Sequence, residues 1–145
     1  MLHTPRQLGV PGEELSKVVY RLIDPEQYRG QHVLVVGGGD SALEAAHSIA
    51  EEQGTSVTLS YRSGAFTRAK AKNRDKVESL ASAGRLNVVL KSNVKEIRED
   101  SVLIEQDGKS IPLRNDAVIV SAGGILPTGF LKEIGITVET KYGSA

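Results

Sequence analysis

His32-Val33-Leu34-Val35-Val36-Gly37-Gly38-Gly39-Asp40-Ser41-Ala42 is the stretch that decides the fold. Four branched apolar residues in succession read as a buried strand, and three consecutive glycines follow. The run Ala42-Leu43-Glu44-Ala45-Ala46-His47-Ser48-Ile49-Ala50 then reads as a helix. Gly37, Gly39 and Ala42 fill the small-residue positions of a G-x-G-x-x-G/A dinucleotide-binding turn. Gly37 makes the turn, Gly39 lets a pyrophosphate approach the backbone, and Ala42 lets the helix sit close on the strand. Phosphates held there face unpaired N–H groups at the positive end of the helix dipole. Gly37, Gly38, Gly39, Asp40, Ser41 and Ala42 are therefore the candidate phosphate-binding residues. Asp40 and Ser41 are expected to cap this helix, with the N–H of Ser41 also directed at phosphate.

Upstream of this stretch, residues 1–14 hold Pro5, Gly9, Pro11 and Gly12 and read as an extended connector. Leu15, Val18, Val19, Leu22 and Ile23 recur at helical spacing, which predicts a short amphipathic helix stopped by Asp24-Pro25. Downstream, Ala42, Ala45, Ala46 and Ile49 form one narrow apolar face, and Gly54 is placed to end the helix. Val57, Leu59 and Tyr61 alternate with polar residues in a second strand. Strand, helix, strand gives two parallel strands with a right-handed crossover. A helix is expected over residues 66–83, with Gly84 near its end, and a third strand over residues 87–90.

The rhythm then changes. Residues 94–97, 102–105 and 110–113 read as short strands joined by tight turns, the second of them carrying Asp107-Gly108. Ala117-Val118-Ile119-Val120 is apolar throughout and is expected at the centre of the parallel sheet. It leads into a second small-residue turn, Ser121-Ala122-Gly123-Gly124. The expected fold class is α/β, a Rossmann-like parallel sheet in which a three-stranded antiparallel meander serves as one crossover.

Composition narrows the function classes. The 145 residues suffice for one domain with a buried core, and 18 basic residues balance 18 acidic ones. A balanced charge gives no reason to expect nucleic acid or an acidic membrane as partner. Without cysteine there is neither a disulfide nor a thiolate metal site. No apolar run approaches the roughly 20 residues of a membrane helix. The expectation is a soluble, cytoplasmic protein. His3, His32 and His47 are scattered without metal or triad spacing, and no catalytic residue is assigned.

The end of the second strand discriminates between ligands. NAD and FAD sites of this kind place an acidic residue there for the ribose 2′-OH. No acid occurs between Gln53 and Arg74; Arg62 follows the strand directly, and Arg68, Lys70, Lys72, Arg74 and Lys76 come after it. A guanidinium offers charge and forked donors to a 2′-phosphate, so the cofactor expected is NADP(H). Lys72, Arg74 and Lys76 read as the solvated face of a helix, Arg62 as a site residue, and Arg68 equally well as either. Ser63 is placed to bond phosphate, and Tyr61 reads as an adenine-stacking or an ordinary strand residue.

Taken together, these segments resemble the NADPH-binding domain of the thioredoxin-reductase-like branch of the pyridine nucleotide-disulfide oxidoreductase flavoproteins. The resemblance is carried by Leu8-Gly9-Val10-Pro11-Gly12-Glu13, by Val36 through Glu44, by Val57-Thr58-Leu59-Ser60-Tyr61-Arg62, and by Ala117 through Gly124 followed by Pro127. It implies a domain inserted into an FAD-binding domain, with NADPH passing hydride to the flavin. It also implies phosphate contact at Gly37 to Ala42 and 2′-phosphate contact at Arg62, with Ala122, Gly123 and Gly124 near the nicotinamide or the flavin. The family often has a second Arg near position 63; Ser63 departs from this, which makes Arg68 a substitute. The redox Cys-x-x-Cys of thioredoxin reductases would fall near Tyr20 and Ile23, so the chain resembles relatives lacking that dithiol, such as reductases for bacillithiol disulfide or ferredoxin.

On this resemblance, residues 1–14 are a connector from an FAD domain, 15–125 the NADP(H)-binding domain, and 126–145 the segment leading back. The expected function is positioning NADPH for an FAD-dependent oxidoreductase, with FAD bound by the parent and no turnover by this chain alone. The expected partner is the flanking FAD domain of the same polypeptide, and a homodimer of the parent is compatible with it. The alternative is a stand-alone NADP(H)-binding sensor without redox activity.

Overall fold

The computed structural model describes residues 8–21 and 24–121. In chain order the elements are β1 (Val18–Val19), β2 (His32–Val36), α1 (Asp40–Ala50), β3 (Ser56–Tyr61), α2 (Ala71–Ser82), β4 (Asn87–Leu90), β5 (Ser92–Ile97), β6 (Ser101–Gln106), β7 (Lys109–Arg114) and β8 (Ala117–Val120). A 3₁₀ turn over Pro25–Tyr28 precedes β2. Among the described residues, five strands form a parallel sheet in the order β1-β8-β2-β3-β4, and β5-β6-β7 form an antiparallel sheet. The α/β architecture, the meander in place of a crossover helix and the central position of β8 all follow the sequence pattern.

Both faces of the parallel sheet are covered, which is why Val33 to Val36 of β2 and all of β8 are apolar, whereas β3 alternates apolar residues with Ser and Thr. Along β2, Val33 and Val35 pack with Ala42, Leu43, Ala46 and Ile49 under the helices. Leu34 and Val36 face the other way, onto Val94, Ile104 and Val118 of the meander side. The molecule is thus layered as helices, parallel sheet and antiparallel sheet. The β6–β7 hairpin closes through Asp107 and Gly108, both in the left-handed region (φ 54° and 76°) as a two-residue turn of matching twist requires.

Four local expectations are corrected. Leu15, Val18 and Val19 do not begin a helix; they lie in turns and β1, while Leu22 and Ile23 lie outside the described residues. Val18 and Val19 fall into opposite core clusters, so their burial follows the two-residue period of a strand paired with β8. The second helix begins at Ala71 rather than Phe66. The half-buried Arg74 donates from Nη1 to the carbonyls of Phe66 (3.4 Å) and Ala69 (3.1 Å), which satisfies that stretch as a loop. α1 ends at Ala50, and Gly54 (φ 77°) shapes the later turn instead.

Residues 8–14 are a folded turn rather than an extended run. The carboxylate of Glu13, 2% exposed, accepts from the N–H groups of Leu8 (3.0 Å) and Gly9 (2.8 Å) and from the Tyr20 hydroxyl (2.9 Å). The Ile97 N–H donates to the Pro11 carbonyl at 2.8 Å, fastening this turn to β5.

Candidate functional site

β2 leads directly into the glycine turn. Gly37 has φ 138°, open only to glycine, and its N–H donates to the Ser60 carbonyl of β3 at 3.0 Å. A Cβ there would collide with the Ser121 carbonyl and stand 3.1 Å from the Ala42 Cβ. Gly38 is required for space: a Cβ would enter the Tyr61 ring. Gly39 is the N-cap of α1, extended at φ −88° and ψ −175°, and no side chain caps the helix. The first intrahelical bond runs from the Leu43 N–H to the Gly39 carbonyl at 3.1 Å. The N–H groups of Asp40, Ser41 and Ala42 therefore have no partner within the helix and lie at its positive end. A phosphate fits that chemistry.

The expected capping by Asp40 or Ser41 does not occur. Ser41 is exposed, and the Asp40 carboxylate reaches across to α2. It accepts from the Lys70 N–H at 2.8 Å and from Asn73 Nδ2 at 2.8 Å. The bond from the Lys70 backbone, then that from Asn73, holds this carboxyl below its usual range. Asn73 is 2% exposed, and its Nδ2 also donates to Glu44 Oε2 at 3.4 Å. With both amide hydrogens turned to carboxylates, its oxygen is the acceptor for His47 Nε2 at 3.3 Å. Asp40, Glu44 and His47 share one face of α1, and a single buried amide gathers all three.

Beyond β3, Arg62 and Ser63 are exposed at the carboxyl end of the parallel strands, the edge where open α/β sheets bind ligands. Tyr61 is half-buried, its ring stacked on Phe66 with centroids 5.6 Å apart and planes 13° from parallel. Arg68 is exposed on the loop before α2, and Lys72 and Lys76 are exposed on the helix itself. Ala122, Gly123 and Gly124 lie outside the described residues.

Lys91, which the sequence pattern does not single out, also stands at this edge. It follows β4, whose Leu90 pairs in register with Tyr61, and its N–H donates to the Ser63 carbonyl at 3.1 Å. The signal was present in the alignment of two adjacent strand ends. A search confined to the second strand and its sequel does not reach it.

A glycine turn opening the first helix of a parallel sheet, with cations at the end of the next strand, is the architecture of a Rossmann-like domain. The chain belongs to the pyridine nucleotide-disulphide oxidoreductase family, whose profile matches residues 1–144. It is 34% identical, over 97% of its length, to a ferredoxin–NADP reductase of Ignicoccus hospitalis, of which it spans 47%. The fold matches bacillithiol disulfide reductase Bdr of Staphylococcus aureus with a TM-score of 0.80 and 31% identity, covering 89% of this chain and 40% of that one. A thioredoxin reductase of Lactococcus lactis matches with a TM-score of 0.72 and 27% identity, covering 95% and 48%. The chain spans less than half the length of these relatives. It is thioredoxin-reductase-like, and with no cysteine it carries no redox Cys-x-x-Cys.

Proposed function

We propose that this chain is the NADP(H)-binding domain of an FAD-dependent oxidoreductase. One observation carries the choice of cofactor: the strand end beside the uncapped start of α1 bears Arg62 and no acid. A ribose 2′-OH seeks a carboxylate at that place, whereas a 2′-phosphate seeks the guanidinium fork. NADPH supplies the hydride. The chain's own residues bind and orient it: the amides of Asp40, Ser41 and Ala42 take the pyrophosphate, and Arg62 and Ser63 take the 2′-phosphate. Arg68 is held in reserve near the same loop, and Ala122, Gly123 and Gly124 are assigned to the nicotinamide side. The flavin belongs to a flanking domain of the same polypeptide, so this chain by itself does not turn over. That the chain spans under half of a ferredoxin–NADP reductase supports the division.

Calorimetric titration with NADPH and NADH tests the assignment. NADPH is expected to bind more tightly, and equal affinities would overturn the preference. Removing one charged phosphate contact costs on the order of 1.5–3 kcal/mol. Arg62→Ala should therefore weaken NADPH by that amount and leave NADH unchanged. Unaltered NADPH binding would remove Arg62 from the site.

A further inference from the structure

We propose that Lys91 supplies the second cation of the 2′-phosphate site; the inference rests on the NADP(H) reading above and extends it to a residue from a different strand. β3 and β4 are paired through Tyr61 and Leu90, so the residues that follow each strand, Arg62 and Lys91, emerge side by side at the same sheet edge. The Lys91 N–H donates to the Ser63 carbonyl at 3.1 Å, binding the two strand ends together.

The backbone at Lys91 is fixed from both sides. Before it, the Leu90 carbonyl accepts from Gln106 Nε2 at 2.7 Å. After it, Ser92, 2% exposed, shares a 2.6 Å hydroxyl bond with Ser60 and donates to the Val89 carbonyl at 2.8 Å. Between these anchors Lys91 holds φ 54°, a left-handed conformation uncommon for a residue with a side chain. The backbone is held while the side chain is exposed. That side chain runs along Gly64: measured from where a Cβ on Gly64 would stand, Lys91 Cε lies at 3.0 Å and Cγ at 3.9 Å. A bare glycine in the Arg62-Ser63-Gly64 loop thus gives the lysine its path.

The charge balance points the same way. Among the described residues the ion pairs join Arg29 to Glu52, Lys95 to Glu105 and Arg98 to Glu96, and none engages Arg62 or Lys91. Two cations at one strand end repel each other until an anion lies between them. A forked guanidinium and a compact ammonium suit a doubly charged phosphate, one giving directed bonds and the other a point charge.

The test is calorimetry with NADPH, NADH and 2′,5′-ADP on wild type, Lys91→Ala, Lys91→Arg and Lys91→Gly. Lys91→Ala should weaken NADPH and 2′,5′-ADP about tenfold, with NADH unchanged, and Lys91→Arg should restore binding. Lys91→Gly relieves the left-handed backbone, so the same loss in that variant separates ligand contact from misfolding. NADPH affinity within twofold of wild type in Lys91→Ala, while Arg62→Ala still loses it, would overturn the role of Lys91. Equal weakening of NADH would overturn it too, by showing a structural effect. Should wild type bind NADPH and NADH alike, the NADP(H) reading itself falls, a failure visible before any variant is made.

Discussion

α1 and α2 pack side by side over the same face of the parallel sheet, and neither has a side chain capping its N-terminus. Their means of attachment differ. α1 buries Ala42, Leu43, Ala45, Ala46, His47, Ile49 and Ala50, whereas α2 buries only Asn73 and Val77. The beginning of α2 is set by polar contacts instead, from Asp40 to the Lys70 N–H, from Asn73 to α1, and from Arg74 to the preceding loop. The helix that opens at the glycine turn is therefore seated chiefly by apolar burial. The start of α2, beside the cationic loop, rests in part on one ionisable group, the Asp40 carboxylate.

This contrast can be broken at either helix. Leu43 is fully buried, so Leu43→Ala should cost about 3 kcal/mol in denaturant unfolding; a loss near zero would mean that α1 is not seated by its apolar face. Asn73→Leu leaves the Asp40 and Glu44 carboxylates and the His47 N–H without their shared amide. It should cost about 2 kcal/mol, with hydrogen exchange accelerating at the first turn of α2 more than in α1. Uniform acceleration across both helices would contradict the division.

The smallest effect is the dependence on acid. The Asp40 carboxyl is depressed below its ordinary 3.8 in the folded state, chiefly by the Lys70 N–H. Its contribution is complete above that ordinary value and is lost as pH falls through the lower folded one. Thermal melts through this acid range should show a slope that Asp40→Asn flattens. An identical slope in that variant would assign the acid sensitivity elsewhere.

Much of this was legible because the signals are local. The apolar run, the glycines and the alanine face specify strand, turn and helix without help from distant residues, and Asp107-Gly108 specifies its hairpin. Where the reading failed, a distant partner decided the outcome. Leu15, Val18 and Val19 match a helical period, yet pairing with β8 makes β1 of the two valines. Phe66 to Ala69 match a helix start, yet Arg74 and Tyr61 draw these residues into a loop. Asp40 sits where a capping residue belongs, and only the approach of α2 shows where its carboxylate goes. Lys91 could be placed beside Arg62 only after strand register was known.

The place of β8 between β1 and β2 bears on how the domain assembles. His32, at the start of β2, donates its N–H to Asp116, 84 residues further along. During synthesis β1, β2, α1 and β3 emerge before β8, with one edge of β2 bare and the Ser121 carbonyl that lies against Gly37 not yet made. Closing so long a loop is slow, and an unpaired central edge is exposed to wrong partners until it closes. Among the described strands, β8 both completes the sheet beside the glycine turn and is the last to be made.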